Sequence, residues 1–165
     1  GDITAVLSVL VAASDMDEPI ADILRGVLDG HVVMEREIAE RGRYPAVNLL
    51  RSVSRSLPGA ATEAENGVLA EARRLLAAYD KAELMIHAGL YARGSDALVD
   101  AAIRVWPALD AFLAESEDGD AAASFERLRQ IVGRAGLSQP PSLSGSSTAR
   151  SGNHNRTDTR PAAPA

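Results

Sequence analysis

The residues of this chain that could carry chemistry lie in one segment, YPAVNLLRSVSR, which runs from Tyr44 to Arg55. The segment places an aromatic side chain directly before Pro45 and an arginine eleven residues after that aromatic. Residue type alone favours a structural interpretation, in which Tyr44 closes the end of a sheet and Arg55 forms a surface ion pair that contributes little stability. The spacing by itself identifies no binding site.

Other candidates for chemistry are weaker. The chain has no glycine-rich phosphate loop and no HExxH motif, and its histidines show no ligand spacing: His31, His87 and His154. An acidic run, Asp15, Asp17 and Glu18, could hold a divalent ion, but we favour a helix N-terminus that uses favourable charge–dipole interactions. The sequence therefore predicts no metal site.

The composition is that of a globular protein with an acidic body. The net charge is −6, but residues 138–165 carry three arginines and one aspartate, so that residues 1–137 carry −8. This charge argues against binding nucleic acid, because phosphate neutralisation supplies most of that affinity. No apolar run is long enough to span a bilayer, and no secretory signal opens the chain. With no cysteine, disulfides and thiolate chemistry are excluded.

The first elements that must position the segment alternate between strand and helix, which is typical of an α/β sheet. An apolar, β-branched run from Ile3 to Val11 predicts a central parallel strand, and His31 to Met34 predicts a second strand. Helices are predicted at about Glu18 to Leu28 and Glu35 to Glu40, each ended by a glycine turn. Because the chain begins almost directly in a strand of buried type, we expect it to be the back end of a longer protein.

After residue 57 the periodicity becomes helical. Thr62 and Glu65 predict a capping box. The helix that follows has apolar residues every three or four positions, at Val68, Ala72, Leu75, Tyr79, Ala82 and Ile86. A second helix opens at Gly94-Ser95, is expected to kink or split at Pro107, and buries Leu98, Ala102, Val105, Leu109 and Phe112. A last helix ends at Gly133 and buries Phe125, Leu128 and Val132.

These patterns predict an α/β part followed by an all-α part. The expected divisions are residues 1–57 for the α/β part and 58–136 for a helical domain. Residues 137–165 are rich in Ser, Pro, Gly, Asn and Ala, and they are expected to form a disordered tail because they cannot bury enough apolar surface to offset the ordering entropy.

The segment YPAVNLLRSVSR resembles the stretch that closes the nucleotide-binding domain of rotary ATPases. With DMDEPIAD, LDGH and the downstream YARGSDALVDAAIRVWPALDAFL, the chain is most similar to the flagellar and type III secretion export ATPases of the FliI/YscN type. The resemblance covers about residues 1–136. It implies the C-terminal part of a RecA-like phosphate-loop domain in residues 1–57 and a C-terminal helical bundle domain in residues 58–136.

The resemblance also implies roles for three residues. Tyr44 matches a tyrosine whose ring packs against adenine, since a flat aromatic face stacks on a purine, and Pro45 stiffens its turn. Arg55 matches an arginine finger that reaches into the neighbouring subunit's nucleotide site. A planar, permanently charged guanidinium suits a phosphate on which charge accumulates.

Four neighbouring residues carry further expectations. Ser52 and Ser54 are expected to shape the loop that aims the finger, and Arg51 is expected to be a surface charge. Asn48 stands where the export ATPases tend to have aspartate, which puts in doubt any role for a carboxylate there.

The resemblance implies ATP and magnesium as ligands of the full-length protein, with the phosphate loop, the magnesium ligands and the catalytic glutamate upstream of this chain. This chain alone should be inactive. The full-length protein should hydrolyse ATP in a homo-oligomeric, hexameric ring to drive export of flagellar or secreted proteins. The implied partners are a coiled-coil stalk, an export gate and substrate–chaperone complexes, with the loop from Tyr91 to Ser95 as a candidate contact. The implied location is the cytoplasm, peripheral to the inner face of the bacterial cytoplasmic membrane.

Two other functions are open at this stage. One is a non-catalytic helical module, in which residues 58–136 bind a coiled-coil stalk partner and the α/β part is scaffolding. The other is an ATP synthase subunit, which we rank lower because DMDEPIAD and GSDALVDAAIRVWP resemble the export branch better. The sequence does not distinguish a flagellar from an injectisome system.

Overall fold

The structure, a computed structural model, describes residues 1, 3–10, 19–116 and 119–136. The elements in these ranges are α1 (Pro19–Val27), β1 (Gly30–Met34), α2 (Arg36–Glu40), β2 (Val47–Ser54), α3 (Glu63–His87), α4 (Ala97–Ala114) and α5 (Ala121–Gly133). A small sheet with its helices thus precedes a helical bundle, in the predicted order. The acidic run at 15–18 and the predicted tail at 137–165 lie outside the described residues.

Strands β1 and β2 pair antiparallel, with Gly30 opposite Ser54 and Met34 opposite Val47. The sequence did not predict β2, although its apolar and β-branched residues suit a strand. A side chain at Gly30 would place its Cβ 2.7 Å from the carbonyl oxygen of Val53. The two backbones can therefore approach this closely only because residue 30 is glycine.

The predicted strand from Ile3 to Val11 does not form in the described residues 3–10. Its large apolar side chains are exposed there, with Ile3, Val6 and Leu10 each more than 90% accessible. A buried strand needs neighbouring strands for its backbone hydrogen bonds and other elements to cover its faces. The part of this chain that the structure describes supplies neither to these residues, and Val11 lies outside it.

A bulge in the β1–β2 ladder shapes the strand that follows Tyr44. The register shifts between His31 and Val33. There the hydroxyl of Ser52 accepts a hydrogen bond from the Val33 amide at 2.9 Å and donates one to the Asn48 carbonyl at 2.6 Å. Ser52 is buried within β2. The expectation that Ser52 and Ser54 shape a loop was therefore wrong, because both residues belong to the strand and Ser52 bonds its neighbour β1.

The helical part buries its apolar stripe in one core. Helix α3 starts with the predicted capping box, in which Thr62 and Glu65 satisfy each other's backbone amides. Most of the core positions predicted from periodicity on α3 and α4 are buried, among them Leu75, Val105 and Leu109, which are at most 2% exposed. Burying each such side chain contributes roughly 1.5–3 kcal/mol. The other predicted positions are partly buried and pack against the same core: Val68, Ile86, Leu98 and Phe112.

Helix α4 continues through Pro107 as one assigned helix and is not split there. Val105 and Leu109, on either side of the proline, are buried against α3 and α5. Their burial offsets the roughly 3 kcal/mol that an interior proline costs. None of the helices in the described ranges combines the length and apolar character that crossing a membrane requires.

Candidate functional site at the two ends of strand β2

Tyr44 lies in the turn that leads into β2. The peptide bond between Tyr44 and Pro45 is cis, and the Tyr44 side chain is exposed, at 64% accessibility. The structural interpretation, in which this ring closes the end of the sheet, was therefore wrong for the chain as described. An exposed ring in a short turn can instead receive a flat ligand on its face.

Arg55 follows the last residue of β2 and docks on the end of α1. Its amide donates to the carbonyl of Asp29 at 2.8 Å. Its guanidinium donates to the carbonyls of Gly26 at 3.2 Å and Arg25 at 3.0 Å. A cation is favoured at a helix C-terminus because the last carbonyls point outward without helical partners. These contacts are to backbone carbonyls of the same chain and not to a carboxylate, so the prediction that Arg55 forms a surface ion pair was wrong.

The Arg55 side chain nevertheless stays exposed. The two bonds to α1 use one N–H on each of two nitrogens, whereas a guanidinium carries five N–H donors. Both bonds are to carbonyls at the surface, where water can replace the arginine at little cost. The side chain can therefore leave α1 for a stronger, charged acceptor.

The distance between Tyr44 and Arg55 is set by β2. They flank the eight residues of this strand. Val47 pairs with Met34 and Ser54 pairs with Gly30, so the ends of β2 lie opposite residues four positions apart on β1, about 13 Å at a rise of about 3.3 Å per residue. Tyr44 and Arg55 therefore extend from opposite ends of one short, bulged strand.

Two cavities in the described part of the chain lie away from these two residues. One opens between β2 and the helices, lined by residues such as Leu50, Leu76 and Trp106, and a polar groove adjoins it. Neither Tyr44 nor Arg55 lines either space. Both candidates are exposed, so a site at either of them would be completed by other protein.

Arg51 and Asn48 have local structural partners. Arg51 forms an exposed ion pair with Glu35 at 2.7 Å, which confirms the predicted surface charge. The Asn48 side-chain oxygen accepts from the amides of Leu50 at 2.9 Å and Arg51 at 3.0 Å. An aspartate could accept the same two bonds, so asparagine preserves this turn without a negative charge.

The carboxyl group of Glu35 is held in its charged form. Its burial would raise the pKa, but hydrogen bonds from Asn48 and Arg51 and the positive charges of Arg51 and Arg41 outweigh it. The net effect lowers the pKa below its usual value of 4.5. The folded state therefore favours the Glu35 carboxylate more strongly than the unfolded state does.

This shift predicts an acid dependence of stability. The contribution of Glu35 is fully present above its unfolded pKa near 4.5 and is lost as the pH falls through the lower folded pKa. Glu35→Gln should lower the free energy of unfolding by under about 1 kcal/mol at pH 7 and have less effect near pH 3. Urea midpoints at the two pH values measure this, with Glu37→Gln, at an exposed site on α2, as the control. An equal loss at both values would contradict it.

Long-range contacts attach the helical bundle to the segment that carries the candidates. Arg73 of α3 donates to the carbonyls of Leu50 and Ser52 at 3.4 and 3.3 Å. Two ion pairs also connect the residues just before Tyr44 to the helical bundle: Arg41 to Glu83 at 2.6 Å and Arg43 to Asp110 at 3.2 Å. Sequence reasoning missed these pairs, because partners 42 and 67 positions apart leave no local pattern.

The loop from Tyr91 to Ser95 is an ordered turn between α3 and α4. The Tyr91 hydroxyl donates to the carboxylate of Asp100 at 3.1 Å, and the Gly94 amide donates to the same group at 2.8 Å. Next to the loop, Leu84 and Leu90 are more than 70% exposed. The loop conformation is thus fixed from within the chain.

Two family models match successive parts of this chain. Residues 1–54 match the ATP synthase alpha/beta family, nucleotide-binding domain, and residues 61–130 match the T3SS EscN ATPase C-terminal domain. The flagellum-specific ATP synthase of Caulobacter vibrioides is 50% identical over 132 residues, which cover 80% of this chain and 29% of that protein.

Solved structures show the same likeness. The assembled ATPase EscN from the enteropathogenic E. coli type III secretion system aligns with a TM-score of 0.70 at 32% identity, covering 75% of this chain and 31% of that chain. EscN in complex with its central stalk EscO aligns with a TM-score of 0.65 at 33% identity, covering 70% and 29%. This chain thus spans less than a third of the length of these relatives.

A nucleotide-binding-domain segment with a small sheet, followed by a helical bundle, is the C-terminal arrangement of a rotary-type ATPase. This chain belongs to the export branch of that class, the flagellar and type III secretion ATPases. The predicted family and fold class are confirmed.

Proposed function

We propose that this chain is the C-terminal portion of a protein-export ATPase, which hydrolyses ATP in a ring of like subunits to drive export of flagellar or secreted proteins. Residues 1–57 are the end of its nucleotide-binding domain, and residues 58–136 are its helical domain. The observation that carries the proposal is that Tyr44 and Arg55 lie on open surface at opposite ends of one strand, in a chain of this family.

Within the ring, Tyr44 stacks on the adenine bound by its own subunit. The Tyr44 ring is exposed and Pro45 follows it in the turn, so a purine can reach the aromatic face. Arg55 serves the adjacent subunit by leaving the carbonyls of α1 for the terminal phosphate of that subunit's ATP. A phosphate is the stronger acceptor, because a charge-assisted bond is about twice as strong as one to a neutral group.

Such a division of labour requires closed, heterologous interfaces. EscN has been solved in an assembled form and with its central stalk EscO, which supports a ring, here a hexamer, and a coiled-coil stalk partner for this protein. The loop from Tyr91 to Ser95 is the proposed contact for the stalk or for substrate–chaperone complexes. An export gate completes the partners, and the ring works in the cytoplasm at the inner face of the membrane.

Magnesium and the phosphate loop belong to the part of the protein that precedes this chain. Magnesium would neutralise charge on the phosphates when bound. Among the described residues, no cluster of His, Asp or Glu has the geometry of a metal site. We therefore assign no magnesium ligand to these residues.

The proposal is tested with the purified full-length protein, by measuring ATP hydrolysis over a range of protein concentrations. Because the finger comes from a neighbour, specific activity should rise steeply as rings form and should level off once assembly, followed by light scattering, is complete. Absence of hydrolysis at every concentration would instead favour the non-catalytic helical module. Hydrolysis with constant specific activity in dispersed monomers would rule out a finger acting in trans.

A further inference from the structure

Arg43, directly before Tyr44, makes contacts that its position in a surface turn does not require. Its side chain is only 12% exposed, whereas Tyr44 is 64% exposed. One terminal nitrogen donates to the carbonyl of Val47 at 3.0 Å, and Nε pairs with the carboxylate of Asp110 at 3.2 Å. The guanidinium therefore bridges the two ends of the turn and ties that turn to helix α4.

The backbone of the same turn is fixed on both sides of Tyr44. The Arg43 amide donates to the carbonyl of Ile38 at 3.3 Å. The carbonyl of Ala46, which is 4% exposed, accepts from the Glu35 amide at 2.9 Å. Tyr44 and Pro45 are thus the exposed part of a short loop whose ends are hydrogen-bonded and whose two sides are joined by Arg43.

We propose that Arg43 is a positioning residue for Tyr44, and that Asp110 of α4 holds Arg43 in place. This inference rests on the proposed adenine role of Tyr44. A turn whose backbone is already fixed loses little freedom when a base stacks on its exposed ring, so affinity is higher than for a mobile turn. The Arg43–Asp110 pair gives the base site a direct connection to the helical domain.

The chemistry of arginine suits this task. The two contacts use different nitrogens of one rigid plane, Nε for the Asp110 carboxylate and a terminal nitrogen for the Val47 carbonyl. Lysine has one ammonium on a flexible stem and cannot reproduce that geometry. Arg43→Lys should therefore recover only part of the effect of arginine.

The test measures the Kd of a fluorescent ADP analogue and the ATP kinetics of the full-length protein. Asp110→Ala and Arg43→Met should each raise the Kd about 3- to 10-fold and raise KM for ATP, with kcat little changed. Arg41→Met is the matched control. It removes the neighbouring ion pair to Glu83 in the same groove without touching the contacts of Arg43, and it should leave the Kd unchanged.

A double-mutant cycle separates positioning from general support of the fold. Once Tyr44 is alanine there is no ring to position, so Asp110→Ala should cause no further rise in Kd. Additive effects would overturn the inference, as would an unchanged Kd in Asp110→Ala when Tyr44→Ala alone weakens binding. If Tyr44→Ala itself leaves the Kd unchanged, the adenine role fails and the inference fails with it. Asp110→Ala keeps the test decisive should Arg43→Met not fold.

Discussion

Replacing Arg55 with alanine in the full-length protein should reduce ATP turnover by roughly 10³- to 10⁵-fold, the range that arginine fingers supply in other phosphoryl-transfer enzymes. The Kd for ATP should stay nearly unchanged, because the finger acts where charge develops in the transition state rather than on the bound substrate. Turnover is measured by phosphate release at saturating ATP, and binding by titration with a fluorescent analogue. Equal losses in binding and turnover would contradict the assignment.

Arg51→Ala is the matched control for Arg55→Ala. Both arginines are exposed and belong to the same segment, but Arg51 is occupied by the exposed ion pair with Glu35, and its removal should change turnover little. If Arg55 served only to cap α1, Arg55→Ala would cost up to about 1 kcal/mol of stability and leave turnover intact. Thermal unfolding of both variants tells these cases apart.

Mixed rings test whether Arg55 acts across a subunit boundary. Arg55→Ala subunits keep their own phosphate loop, whereas subunits with that loop's lysine substituted keep their arginine. Each preparation alone should be inactive. Mixing them should restore activity at interfaces where an intact loop meets an intact arginine, and a mixture that stays inactive would argue that Arg55 works within its own subunit.

The second large effect is expected at Tyr44. Tyr44→Ala should weaken ATP binding by about 1–3 kcal/mol, the value of a base–aromatic stack, which corresponds to roughly a 5- to 150-fold rise in Kd. Tyr44→Phe keeps the aromatic face and should bind nearly as well as the parent. The Kd values of the two variants decide the role, and an alanine variant with unchanged affinity would remove it.

The local features of this fold could be predicted from sequence. The capping box at Thr62 and Glu65 depends on residues three positions apart, and the core positions of α3 and α4 follow a period near 3.6. Both signals lie within one element. They were confirmed because nothing distant in the chain has to be known to interpret them.

Features that depend on distant partners could not be predicted in the same way. Residues 3–10 have the composition of a buried strand, yet they form none in the described structure, because a strand exists only with a neighbour to pair with. The sequence did not predict strand β2, because its bulged pairing with β1 depends on hydrogen bonds of Ser52 to Val33 and Asn48 that no local pattern shows. The Arg43–Asp110 ion pair could not be predicted either, because its two residues meet only when α4 packs beside the turn.

The site itself was predicted only through family resemblance. Tyr44 and Arg55 are ordinary as residue types, and their spacing of eleven positions identifies no ligand. The reason is physical: under the proposed function, the groups that complete each half of the chemistry lie outside this chain. A pattern search within these residues therefore has nothing to pair them with.

The bulge in β2 has a consequence for the proposed ring. Between Asn48 and Val53 the strand holds more residues than the paired stretch of β1 between Val33 and His31, so the offset between Tyr44 and Arg55 depends on the bulge and not on the number of residues alone. Ser52 holds that bulge through its bonds to Val33 and Asn48. Loss of the Ser52 hydroxyl would change how Arg55 is placed relative to Tyr44, which in the proposed ring would leave a subunit able to occupy its own site but not to serve its neighbour.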